Sequence, residues 1–262
     1  MSRRSLVQQI EEDALDGRTS LADALRKCIA VGGRSGSTEL RDWAASELRG
    51  YEGPKGDMPS YRTLVAPLVI DGFTFNTHIT GQLISAYDLP NVVREAGFSE
   101  ELPLAHGVGE LEEMVRATRL KGETIKLALP DGAMIAKLMT HEMRDQYRAV
   151  ERVYWNVSPT AVVGVLDQIR TRLVALVAEV RAVSPDPNEP SAAAVNNAVE
   201  VAIYGKARDV NINTAGAGGS GSAIAGSPPK ERPWWKSLKL LGAFIVGLAT
   251  IAAAIIAWLQ WK

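Results

Sequence analysis

Residue types suited to catalysis or metal binding are sparse in these 262 residues, which include only three histidines and one cysteine. His141-Glu142, in Thr-His-Glu-Met-Arg-Asp-Gln, begins like the HExxH helix of zinc proteases. There, two histidines four positions apart hold the metal and the glutamate serves as base. Asp145 stands where the second histidine would be, so His141 is expected in a surface or capping role. His78 falls on the polar side of an alternating run and His106 precedes Gly107; structural or solvated roles are expected for both. Gly107-Val108-Gly109-Glu110 lacks the third glycine of a dinucleotide-binding turn. Glu11-Glu12 and Glu112-Glu113 read as solvated helix faces. Cys28, being alone, permits neither an intrachain disulfide nor a cysteine metal cage. These residues imply no cofactor, no metal and no catalytic set, and an enzyme is not expected. A hydrolase or nuclease assembled only by the fold is the enzymatic alternative.

The elements that would position such groups are mixed α and β. Leu6, Ile10 and Leu15 share a helical face, as do Leu21, Leu25, Cys28 and Ile29, and then Leu40, Trp43, Ala44 and Leu48 before a capping Gly50. Two β-rich runs, Leu64–Ile70 and Phe73–Thr80, flank Asp71-Gly72, a dipeptide suited to a tight hairpin turn. Phe73, Phe75 and Ile79 would form the buried face, and Pro67 would confine its strand to an edge or a bulge. A helix over Gly109–Ala117 follows, then a strand over 123–130, a helix over 132–146 and a strand over 148–157. Ser158-Pro159 opens a long helix in which Val162, Leu166, Ile169, Leu173, Leu176, Val180 and Val183 recur at heptad spacing. Val163, Val165 and Val177 widen that stripe, which suits packing within the chain; self-association is the alternative. After the Pro-rich hinge, Val199, Val201 and Ile203 alternate, then Val210 and Ile212, with Asn211 and Asn213 facing away; both runs read as strands.

The last part of the chain has a different composition. Leu240 to Leu259 are twenty residues without an ionisable side chain. As a helix they span about 30 Å, the thickness of a bilayer's hydrocarbon core. Trp234, Trp235, Lys236 and Lys239 precede the stretch, and Trp258 and Trp261 mark its end. These are the residue types that anchor at membrane interfaces, with cations on the cytoplasmic side. Ala243, Gly247, Thr250 and Ala254 form a small-residue face suited to close helix contact. Five of the 29 basic and one of the 30 acidic side chains lie from Lys230 onward, leaving 24 and 29 before it, a balance of −5. That acidity argues against sequence-independent nucleic-acid binding. The N-terminus has no apolar core and does not read as a signal peptide. The expected organisation is an α+β domain over 1–184, a hinge and Asn-bearing β segment over 185–213, a Gly/Ser/Pro linker over 214–233, and a transmembrane helix with its flanks over 234–262.

Ser5–Leu15, Leu21–Tyr51 with its Trp43…Glu47-Leu48…Gly50-Tyr51 pattern, and Met58-Pro59-Ser60-Tyr61-Arg62 resemble the opening of AbiTii-domain proteins, named for a component of a bacterial abortive-infection system. The resemblance implies bacterial defence against phage and carries over no catalytic residue. Together with the hydrophobic stretch it leads to a membrane-anchored defence protein. Its cytoplasmic domain would associate with copies of itself and act at or on the inner membrane. The partners expected are the lipid bilayer, further copies, and a phage trigger or second protein. A tail-anchored scaffold that recognises other proteins without disturbing the membrane is the alternative.

Overall fold

The computed structural model describes residues 4–51, 58–184, 186 and 188–205, all within one compact unit spanning residues 1–207. It opens with three helices: α1 (Leu6–Leu15), α2 (Leu21–Ser35) and α3 (Thr38–Arg49). Each begins where the chain meets a serine. The Ser5 hydroxyl accepts from the Gln8 amide while the Gln8 side chain accepts from the Ser5 amide, both at 3.2 Å, a reciprocal cap. Ser37 caps α3 through the Leu40 amide. Leu21, Leu25, Cys28, Leu40, Trp43 and Ala44 are buried as their spacing predicts. On α1 the buried stripe is Val7, Ile10 and Ala14, with Leu6 packed at its margin and only Leu15 of the expected face left out, 68% exposed.

Six strands follow. β1 (Thr63–Val65) and β4 (Glu101–Pro103) form a two-stranded antiparallel pair. β2 (Leu68–Thr74), β3 (Thr77–Ile84), β5 (Ile125–Ala128) and β6 (Arg148–Val157) form an antiparallel sheet in the order β3-β2-β6-β5. Asp71-Gly72 does not make the hairpin turn; it lies inside β2, and the turn is Phe75-Asn76, with Phe75 at φ +50° stacked on Tyr147. The dipeptide meets a different need. At this point each neighbouring strand carries one extra residue, and a Cβ on Gly72 would stand 2.1 Å from the Ala149 carbonyl oxygen. Glycine is there for close backbone approach at a bulge. Phe75 is 62% exposed and so is not part of a buried face. Pro67 precedes β2, an inner strand rather than an edge, and its carbonyl accepts from the Asn156 amide.

The remaining helices are the short α4 (Asn91–Glu95), α5 (Val108–Lys121), α6 (Gly132–Met143), α7 (Pro159–Val183) and α8 (Ala192–Ala202). Ser158 caps α7 by accepting from the Ala161 amide, with Pro159 in the first turn. Of the heptad residues, Val162, Ile169, Leu173, Leu176 and Val180 are buried, Leu166 is half-buried and Val183 is 37% exposed. The wide stripe meets α1, α5 and α8 of the same chain. α8 replaces the strand expected at Val199–Ile203. Ser191 caps it, and Val195, Ala198 and Val199 bury a helical face. Three alternating β-branched residues are too few to outweigh a capped face with helical period. α8 packs on α2, α3 and α7, so this stretch folds with the helical body. Val210, Ile212, Asn211 and Asn213 lie outside the described residues.

If α7 is the spine of this core, truncating a residue at its centre is costly and at its rim is not. Ile169→Ala is expected to lower unfolding free energy by about 2–5 kcal/mol, and Val183→Ala by about 0.5 kcal/mol or less. Chemical denaturation of the two variants measures the difference.

Candidate functional site

The histidines are dispersed over separate elements: His78 on β3, His106 before α5, and His141 on α6. α6 ends at Met143, and Arg144 turns into the left-handed region at φ +49°, so Asp145 never reaches the helical face of His141. Asp145 instead accepts from the Tyr147 amide and pairs with Arg148. The His106 Nε2 lies 3.9 Å from Glu110. Among the described residues no group of three or more His, Cys, Asp or Glu is placed to hold a metal ion. Cys28 is buried, and burial pushes its thiol up to about 12, so it stays protonated and unreactive at neutral pH.

Several charged side chains instead close helix ends. Glu112 on α5, expected on a solvated face, accepts from the Leu21 amide at 2.8 Å and the Ser20 hydroxyl at 2.9 Å, capping α2. Arg170 donates to the carbonyls of Asp13 in the last turn of α1 and of Asp16 and Thr19 beyond it. Arg172 donates to Ala202 and Ile203 at the end of α8. Glu11 and Glu12 pair with Arg181 and Arg4, and Glu113 with Arg116.

The densest polar assembly is buried. Glu47 on α3 and Arg62, in the one-turn 3-10 helix Ser60–Arg62, form an ion pair with both side chains fully inaccessible. The Arg62 Nε and Nη2 donate to Glu47 Oε2, and Nη2 also reaches the Glu47 carbonyl. Its Nη1 donates to the carbonyls of Leu104 and His106. Five donors thus meet five acceptor contacts, the full capacity of a guanidinium. The other carboxylate oxygen of Glu47 accepts from the hydroxyls of Tyr51 (2.6 Å) and Tyr61 (2.7 Å), and Tyr61 accepts from the Trp43 indole at 3.0 Å. Arg172 stacks over the Tyr61 ring at 4.3 Å. Burial, then the Glu47 carboxylate, push both phenols upward, so they remain neutral donors. Trp43, Glu47, Tyr61 and Arg62 are buried and Tyr51 and Arg172 half-buried, and the bonds among them position the elements they come from. The lattice joins α3, the 3-10 turn, the β4–α5 junction and α7. The approach is close enough that a Cβ on Gly107 would lie 2.3 Å from the Leu48 carbonyl oxygen. The Trp43…Glu47-Leu48…Gly50-Tyr51 pattern and the Tyr61-Arg62 pair are therefore two halves of one network.

A second polar group lies in the sheet. Asp71, 2% exposed, accepts through Oδ1 from the Gly81 amide (2.8 Å) and the Tyr154 hydroxyl (2.9 Å). Arg152 Nη2 stands 2.8 Å from Oδ2, outside hydrogen-bonding alignment. Lys126 Nζ lies 5.0 Å from the centre of the Tyr154 ring. Burial alone would raise the Asp71 pKa, but the Gly81 and Tyr154 hydrogen bonds and the two cations outweigh it and hold the carboxyl below its ordinary 3.8.

Two measurements test these assignments. Arg62→Met alone leaves Glu47 buried without its cation and is expected to cost about 3–5 kcal/mol. The Glu47→Leu/Arg62→Met double variant should lose clearly less than the two single losses combined, a coupling that chemical denaturation resolves. For Asp71, the stabilisation of the ionised form is present above about pH 3.8 and lost as pH falls through the lower folded-state value. Asp71→Ala should cost about 1–3 kcal/mol at neutral pH and flatten the pH dependence of stability below pH 4.

Ala243, Gly247, Thr250, Ala254, Trp234, Trp235, Lys236, Lys239, Trp258 and Trp261 lie outside the described residues. Among the described residues no helix is long and apolar enough to cross a membrane. Comparison with curated proteins and with solved structures returns no match. The AbiTii family model matches residues 5–202, the span from the Ser5 cap to the end of α8, with the Glu47–Arg62 lattice inside it. The chain therefore belongs to the AbiTii family, an abortive-infection domain of phage defence.

Proposed function

We propose that this chain is a membrane-anchored abortive-infection effector. The AbiTii body faces the bacterial cytoplasm and receives a phage-derived or protein trigger. Copies then associate, and the helix over Leu240–Leu259 acts on the inner membrane. One observation carries this reading: an abortive-infection domain over residues 5–202 shares a chain with twenty consecutive residues lacking any ionisable side chain. The Trp and Lys flanks of that stretch suit the two interfaces of a single-pass helix. Its only polar side chain is Thr250, which favours lipid disordering or a dehydrated pore over a selective aqueous channel. The face of Ala243, Gly247, Thr250 and Ala254 would bring the helices together.

The test is expression of the full chain in bacteria beside a chain lacking residues 234–262, with membrane potential followed during phage challenge. Depolarisation is expected only with the full chain. Retained potential with both would leave a membrane-tethered scaffold as the function. Gly247→Ile is expected to weaken crosslinked oligomers several-fold while the chain still sediments with membranes.

A further inference from the structure

We infer that α8 is a releasable latch, and that Arg172 relays its docked or open state to the Glu47–Arg62 lattice. This goes beyond the effector reading and does not require it. α8 caps both of its own ends. The Ser191 hydroxyl accepts from the Ala194 amide at 3.3 Å, and Gly205, left-handed at φ +66°, donates to the Val201 carbonyl at 3.2 Å. The connector before it is tied to itself as well: the Ser184 hydroxyl and Glu189 amide donate to the Asp186 carbonyl, and the Asn188 amide to the Asp186 carboxylate. The face that docks is small, Val195, Ala198, Val199 and Ile203, beside the seven buried residues of α7. Asn196 Oδ1 on α8 and Arg172 Nε are buried without a hydrogen-bond partner. An element with a short apolar face and unmet polar atoms opens ahead of global unfolding.

The relay follows from where one guanidinium sits. Arg172, on α7, donates through Nη1 to the Ala202 and Ile203 carbonyls at 3.2 and 2.8 Å, and its Cζ lies 4.3 Å from the centre of the Tyr61 ring. The group is rigid and planar, so a single orientation serves both contacts. When the end of α8 lifts, the two carbonyls leave with it. A half-buried cation whose Nε is already unmet then turns toward water, and turning takes it off the ring. The Tyr61 hydroxyl donates to Glu47 at 2.7 Å and accepts from the Trp43 indole at 3.0 Å, so the change arrives at the buried ion pair. Arg172 is thus a positioning residue with two states, engaged with α8 and the ring together or with neither. Residues 206–262 continue from this end of α8, so a force on them meets the latch before any other element.

The experiment uses the full chain in mild detergent with two readouts. One is amide hydrogen exchange; the other is the fluorine resonance of fluorotryptophan at Trp43, assigned by its loss in Trp43→Phe. In the parent chain the α8 amides are expected to exchange together, about tenfold or more faster than those at the centre of α7. Ile203→Ala trims the docked face and leaves Arg172 and Tyr61 in place. It should speed α8 exchange several-fold, shift the Trp43 resonance and raise exchange at Tyr61-Arg62, with α6 and β6 unchanged. Arg172→Met should give the same Trp43 shift from the other side, and Arg172→Lys, which keeps the charge without the planar fork, should not restore the parent signal. Should Arg172→Met fail to fold, Ile203→Ala alone decides. α8 exchanging no faster than α7 overturns the latch. Faster α8 exchange in Ile203→Ala with an unmoved Trp43 resonance overturns the relay. Neither readout involves membrane potential, so failure of the effector reading leaves this test intact.

Discussion

Two opposite charges withdrawn from water govern this fold. Burying Glu47 and Arg62 costs several kcal/mol for each ion, and their attraction offsets that only when all remaining donors and acceptors are matched. Here the match draws on Tyr51, Tyr61, Leu104 and His106, from segments up to 59 residues apart in the chain. The pair therefore accepts one arrangement of α3, the 3-10 turn and the β4–α5 junction. An apolar core of equal volume would tolerate sliding among these elements; a guanidinium with five directed bonds does not.

The helical body and two of the strands were legible in the chain because their signals are local. Serine caps sit at Ser5, Ser37 and Ser158, and the periods of α2, α3 and α7 match the buried stripes. β5 and β6 fall where the apolar runs predict. What was not legible depended on partners distant in sequence. Glu112 caps a helix 91 residues away, and Arg170 closes one 157 residues from it; nothing around either residue encodes that. Asp71-Gly72 has the composition of a turn but serves a bulge, because Ala149 of a strand far along the chain lies against it. The Trp43…Tyr51 pattern was visible as packing, and its polar content emerged only once Tyr61 and Arg62 met it in space.

α7 illustrates why a repeat is ambiguous on its own. Its apolar stripe has coiled-coil spacing, yet most of it is buried by α1, α5 and α8. The apolar side chains left open are scattered instead, with Leu15 on α1, Val65 on β1, Leu83 on β3 and Phe75 and Tyr147 beside the sheet. In the AbiTii body the helical layer and the ion pair hold the frame.

The arginine clamps of α7 also set an order of events during synthesis. Arg170 grips the end of α1, and Arg172 needs the carbonyls of Ala202 and Ile203, so the domain cannot lock until nearly all of it has emerged.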